Sequence, residues 1–207
     1  MSKLTALFWD VGGVILSNGW DRDTRRAMVR TFQINEEEFE GRHELVVGRF
    51  ETGRMPLDRY LERTIFYAPR AFTPDDVKQF MFAQSHAQPA SLDLLARLAA
   101  SGQYLLATLN NESRELNLFR IEKFGLRKYF NVFFSSCFLG VQKPEEEIFR
   151  LALEMTQRQP EEAVFIDDRA LNVECARHCG LEALQFHQAE QLEQDLRALG
   201  VSAHRAV

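Results

Sequence analysis

The residues LTALFWDVGGVIL, positions 4–16, decide how the rest of the chain reads. An apolar run, LTALFW (4–9), ends in one carboxylate, Asp10, and two glycines follow at once. Gly12 and Gly13 let the backbone bend close to a ligand. A carboxylate in such a place usually works with a second acid or base, and the position two residues on holds Gly12.

Four further apolar runs have the length of strands: YLLATL (104–109), VFFSSC (132–137), AVFI (163–166) and ALQF (183–186). Helical patterns lie between them, and that alternation predicts an α/β fold: a parallel sheet with helices on both faces. Pro144 followed by three glutamates starts one of these helices, and Ile148, Leu151, Ala152 and Met155 are expected on its sheet-facing side. Residues 17–88 contain no convincing strand. They show amphipathic helical patterns broken near Gly41, Gly53, Pro56, Pro69 and Pro74. The expected organisation is a core made of residues 1–16 and 89–207, with an all-helical insertion over 17–88.

Composition supports one folded unit. A chain of 207 residues with 45% hydrophobic and 27% charged residues can bury a core, which argues against disorder. A net charge of −5 without a long Lys/Arg run gives no field for a phosphate backbone, so nucleic-acid binding is not expected. The N-terminal apolar run is too short for a signal peptide or membrane span, which leads to a cytoplasmic expectation with no membrane partner. Cys137, Cys175 and Cys179 form no CxxC pair and read as free thiols. Cys175, His178 and Cys179 could share a helix face, but a closed zinc site needs four ligands, so packing or exposure is the expectation. The acidic NEEEFEGRHE (35–44) reads as a solvated helix face.

Ligands of open parallel sheets bind beyond the carboxyl ends of the strands. Those ends carry Asp10, then Thr108, Leu109, Asn110 and Asn111, then Lys143 within GVQKP, then Asp167 and Asp168. One Asp after a strand is often only a cap or turn former. Three carboxylates and a lysine at successive strand ends are a site. Such hard oxygen ligands suit Mg²⁺, which commonly bridges to a substrate phosphate. Metal and lysine together make attack on phosphorus by Asp10 feasible, through an aspartyl-phosphate. A main-chain carbonyl at Gly12 can ligate the metal whatever the side chain.

The chain resembles the haloacid dehalogenase-like (HAD) hydrolase superfamily through FWDVGGV, LLATLNN, GVQKPEEEIF and VFIDDRALNVECARHCG. It is similar to the branch with a helical cap after the first motif, which includes sugar phosphatases of the glucose-1-phosphate phosphatase type. The resemblance implies a Rossmann-like core, Asp10 as nucleophile and Lys143 holding nucleophile and phosphate. It also implies Asp10, Gly12, Asp167 and Asp168 around Mg²⁺, and residues 17–88 as a cap. Two departures stand out. The usual acid two residues after the nucleophile is Gly12, and the usual phosphate-binding Ser/Thr falls on Leu109, with Thr108 one residue early. Either a bulge brings Thr108 into service or Asn110 and Asn111 hold the phosphate.

The leading expectation is a Mg²⁺-dependent phosphatase acting on a small phosphorylated metabolite. A missing general acid would confine it to activated leaving groups, and Gly12→Asp would help alkyl esters most. One alternative is a phosphate-binding or regulatory protein that has lost turnover. Another is a 2-haloacid dehalogenase, which needs no general acid but has no use for the Asp167–Asp168 pair. Trp20, Arg42, His43, Phe66 and Tyr67 are candidate substrate contacts from the insertion.

Overall fold

The first strand, β1 (Ala6–Trp9), has all four of its side chains buried, as a strand covered on both faces requires. In the computed structural model, which describes residues 4–203, it lies at the centre of a five-stranded sheet. The other strands are β2 (Leu105–Asn110), β3 (Val132–Ser135), β4 (Ala163–Asp167) and β5 (Glu182–Gln185). The order is β3-β2-β1-β4-β5 and every pairing is parallel. Each of the five expected strands is present.

Between β1 and β2 run α1 (Arg22–Thr31), α2 (Glu36–Glu51), α3 (Leu57–Thr64), α4 (Pro74–Ala83) and α5 (Pro89–Ser101). Then come α6 (Arg114–Lys123), the single-turn α7 (Ser136–Leu139), α8 (Glu146–Thr156), α9 (Ala170–His178) and α10 (Ala189–Ala198). Strand alternation sorts the core into two layers. Leu7, Trp9, Leu106, Val164 and Ile166 pack against Leu94, Leu95 and Leu98 of α5 and Leu192 and Leu196 of α10. Ala6, Phe8, Ala107, Leu109 and Phe165 meet α8 and α9 on the opposite face. The doubly covered Rossmann-like sheet follows from these two stripes.

The α8 stripe differs from expectation. Ile148 and Ala152 are buried, but their partners are Phe149 and Leu153, while Leu151 is half-buried and Met155 is exposed. Phe149 meets Phe165 edge-on at 5.1 Å, and seating this ring turns the helix away from the Leu151–Met155 side.

Helices α1 to α4 enclose an apolar cluster of their own, centred on Met28, Phe39, Phe50, Tyr60 and Met81. The break expected near Gly41 is absent, since α2 runs unbroken from Glu36 to Glu51. Glycine costs about 1 kcal/mol in a helix interior. Burial of Phe39, His43 and Phe50 on the same helix outweighs it. The acidic first turn of α2 is indeed a solvent-side feature, but His43 at the end of the charged stretch is inside. Gly53 joins this cluster to the core. Its φ is +71°, and a Cβ there would lie 2.2 Å from the carbonyl oxygen of Cys137. No helix among the described residues is long and apolar enough to cross a membrane.

His43 Nδ1 lies 2.8 Å from the Tyr60 hydroxyl, which also accepts from Trp20 Nε1 at 2.9 Å. Burial holds the imidazole down at about 4, so it stays neutral where an unfolded chain's histidine takes a proton. The unfolded state therefore binds more protons between the unfolded pKa of about 6.5 and the folded value, and stability falls as pH drops through that window. The wild type is expected to lose about 2–3 kcal/mol more than His43→Asn between pH 7 and pH 4. Urea melts of both forms across that range check it; parallel curves would refute the buried neutral imidazole.

Candidate active site

Three strands end in the site. Asp10 follows β1, and its backbone N–H donates to Ile166 O at 2.8 Å, so the carboxylate is carried at the carboxyl end of the central strand. Asp167 closes β4 with no exposed surface, and Asp168 follows it, half-buried. Each of the three carboxylates offers an oxygen within 4.8 Å of the others, and they are the one such acid cluster among the described residues. Crowding of like charge in a buried place is costly. Burial first, then Asp167, pushes Asp10 up to about 7, against the pull of Lys143. Burial and Asp167 raise Asp168 as well.

Lys143 sits among them. Its Nζ lies 3.0 Å from Asp10 Oδ1 and 2.5 Å from Asp167 Oδ2, with only 1% of the side chain exposed. The loop that delivers it is clamped by Asn111, whose Oδ1 accepts from Lys143 N at 2.9 Å and whose Nδ2 donates to Lys143 O at 2.8 Å. The Lys143–Pro144 peptide is cis.

Asp167 is fully engaged, because it also accepts from Arg169 N and from Asn172 Nδ2. Asp168 is different: its Oδ1 is buried and has no hydrogen-bond partner. An orphaned carboxylate oxygen beside two more carboxylates is a donor set that fits a hard divalent cation. Gly13 keeps this arrangement possible, since its φ is +78° and a Cβ there would lie 2.3 Å from Asp168 Oδ2.

A cavity of about 300 Å³ opens over Asp10, Gly12, Asn111 and Lys143. From the helical segment it is lined by Trp20, Arg22, Arg25 and Glu51, so both parts of the chain build it. Arg25 is committed to a two-pronged pair with Glu40 at 2.8 Å. Of the other aromatic and basic candidates in this segment, none lines the cavity. Arg42 stacks over Tyr67 at 3.4 Å, His43 is internal, and Phe66 packs against the helical cluster.

Strand β2 carries no bulge. Its pairing with β3 is regular through Thr108↔Phe133, Leu109↔Phe134 and Asn110↔Ser135. Alternation therefore turns Thr108 and Asn110 to the Leu106 side, while Asn111 falls on the side of Asp10 and Asp167. Thr108 is buried with its hydroxyl unpartnered, and the Asn110 amide is tied to Asn117 and Ser135. Of these three residues the structure brings only Asn111 to the cavity, and there its side chain holds the lysine loop.

Among the cavity residues that escaped the sequence reading are Glu112, next after the asparagines, and Arg120, eight residues on in α6. They form a buried ion pair at 2.9 Å. The signal was present in NNESRELNLFR as an acid and a base eight residues apart, but nothing in that spacing indicates burial. Cys175 and Cys179 form no metal cluster with His178 among the described residues. Cys175 Sγ instead donates to Pro144 O at 2.8 Å.

Residues 4–180 match the family model for haloacid dehalogenase-like hydrolases. Flavin mononucleotide hydrolase 1 of Arabidopsis thaliana is 28% identical over 97% of this chain and 79% of its own length. Glyceraldehyde 3-phosphate phosphatase of Pyrococcus furiosus is 28% identical over 52% of this chain and 45% of its own. Among solved structures, a HAD family enzyme of Bacteroides thetaiotaomicron, in complex with magnesium and inorganic phosphate, superposes with a TM-score of 0.76. It is 21% identical and the match covers 91% of this chain and 98% of that one.

Proposed function

From the premise that the chain belongs to the haloacid dehalogenase-like hydrolase family, we propose that it is a Mg²⁺-dependent phosphatase acting on a small phosphorylated metabolite through an aspartyl-phosphate on Asp10. The observation that carries this reading is the Asp168 oxygen left without a partner beside two further carboxylates and a buried lysine. That set has a use for a cation and a phosphate and none for a halide. It therefore favours phosphate ester hydrolysis over metal-free dehalogenation.

Asp10, Asp168 and the Gly12 carbonyl would hold Mg²⁺, with Asp167 supporting the lysine more than the metal. When bound, the cation neutralises charge on the phosphoryl oxygens. Lys143 does the same from the other side and keeps Asp10 aimed. Residues 17–88 serve as the cap, and Trp20 offers an apolar face to the leaving group. The relatives' names supply two probes, flavin mononucleotide and glyceraldehyde 3-phosphate, one with a large flat leaving group and one with a small alkyl one.

Phosphate release is expected from p-nitrophenyl phosphate and from at least one of these two esters with Mg²⁺ present, and it stops on exhaustive chelation. Binding of phosphate without turnover would favour a regulatory protein. Chloride release from 2-chloropropionate after chelation would favour the dehalogenase.

A further inference from the structure

The phosphatase reading leaves the leaving group without a proton, because position 12 has no side chain to give one. The structure shows what stands there instead. A Cβ on Gly12 would lie 3.2 Å from Asn18 Oδ1 and 3.7 Å from Arg120 Nη1. Arg120 Nη1 in turn donates to Glu112 Oε2 at 2.9 Å. Gly19 brings its backbone against the same pair, since a Cβ on it would lie 2.9 Å from Glu112 Oε2 and 3.2 Å from Arg120 Nη1. The volume beside residue 12 is thus bounded by Asn18 and by Arg120, and Arg120 ties Glu112 into the same cavity as Asp10.

We propose that Glu112, positioned by Arg120, performs the proton transfers that a carboxylate at position 12 would otherwise perform. The inference rests on the phosphatase reading. Glu112 is held at several points: Oε1 accepts from Ser113 N at 3.1 Å, and its own N–H donates to Ser136 Oγ at 3.0 Å. Arg120 is anchored independently by donation from Nη2 to Ser17 O, and its Nε is buried without a partner. Besides Asp10, the cavity has two other acids: Asp21 is taken up by capping α1, where it accepts from Thr24 N, and Glu51 has no side-chain hydrogen bond to aim it among the described contacts.

In the first step Asp10 attacks phosphorus, the bond from phosphorus to the leaving oxygen breaks, and the Glu112 proton passes to that oxygen. The carboxylate so formed stays paired with Arg120. In the second step water attacks the aspartyl-phosphate, the bond to Asp10 breaks, and the water proton returns to Glu112, with inorganic phosphate released. Burial raises Glu112 to about 7, with Glu51 pushing the same way and Arg120 opposing, so both protonation states are accessible near neutrality. Under this inference the restriction to activated leaving groups expected from Gly12 is lifted.

The test is a leaving-group series, from nitrophenyl to alkyl phosphates, read as kcat/KM so that only steps up to leaving-group departure count. The wild type is expected to show a shallow dependence on leaving-group pKa. Glu112→Gln steepens it, with alkyl esters falling by about 10² to 10⁴ and nitrophenyl phosphate by less than about tenfold. Glu51→Gln leaves the slope as it was. Should Glu112→Gln fail to fold, Glu112→Asp, which keeps the charge for Arg120 but withdraws the carboxyl by one methylene, carries the same expectation. A uniform fall across the series, or steepening by Glu51→Gln instead, overturns the proposal and leaves the phosphatase reading standing. No turnover of any ester by the wild type overturns both.

Discussion

Asp10→Asn is expected to lower phosphate release by on the order of 10⁴ or more while leaving the fold intact. The amide has the shape of the carboxylate and keeps an acceptor for Lys143 Nζ, 3.0 Å away. It lacks the charged oxygen that would attack phosphorus. The fold should not suffer. Asp10 is buried and its carboxyl is already pushed up to about 7, so removing a charge there relieves the cost of burial and the repulsion with Asp167, which together outweigh the attraction to the lysine. Two measurements separate chemistry from stability. Phosphate release is followed with the best ester, and acid-quenched peptides containing residue 10 are weighed for the phosphoryl adduct. Residual activity above about 1%, or an adduct in the variant, would remove Asp10 from the covalent role.

The placement of Asp10 and its neighbours was legible because each is tied to a strand end, and strand ends are readable from apolar runs. β1 and β4 stop within a residue of where the sequence places them, and Asp10 and Asp167 follow from that. Lys143 lies on a loop, yet the GVQKP stretch placed it. The phosphate-side reading of β2 was less successful for a reason of parity. A one-residue change in where a strand is counted from exchanges its two faces, so Thr108 and Asn110 went to the Leu106 side and only Asn111 to the cavity.

Glu112 and Arg120 were illegible for a different reason. Their partnership depends on where α6 lands against the segment after β1, and on Gly19 allowing backbone to approach within contact of both. Local pattern does not encode such a meeting. The same is true of His43, which sits in a charged run and is nonetheless internal, because Tyr60 comes to it from α3. The α8 stripe erred by one position because a ring-to-ring contact with Phe165 outweighed the even spacing of aliphatic residues.

Lys143→Met should be the most destabilising single change at the site. The lysine is the one cation placed directly between Asp10 and Asp167, at 3.0 and 2.5 Å, with its Nζ 5.2 Å over the Phe165 ring. Methionine fills a similar volume and carries no charge, so three carboxylates that share a 4.8 Å neighbourhood lose their compensation. Breaking a buried pair by removing one partner costs about 3–5 kcal/mol, because the other charge stays behind. The pH dependence identifies the cause. Carboxyls whose folded pKa is raised above the unfolded value of about 3.9 lend stability at low pH and withdraw it as pH rises toward the folded value. Asp10 already stands at about 7 with the lysine in place and must stand higher without it. The deficit of the variant therefore grows as pH rises above about 7, where only the wild type tolerates a charged Asp10, and is smallest below 7, where protonation of Asp10 in both forms takes over the lysine's task. Mg²⁺ is expected to raise the melting temperature of Lys143→Met more than that of the wild type, since a divalent cation supplies the same compensation. Urea melts at pH 8 and pH 5.5, with and without Mg²⁺, decide the matter. A variant as stable as the wild type at pH 8 would show that the carboxylates do not depend on the lysine, and a deficit independent of pH would assign it to lost packing.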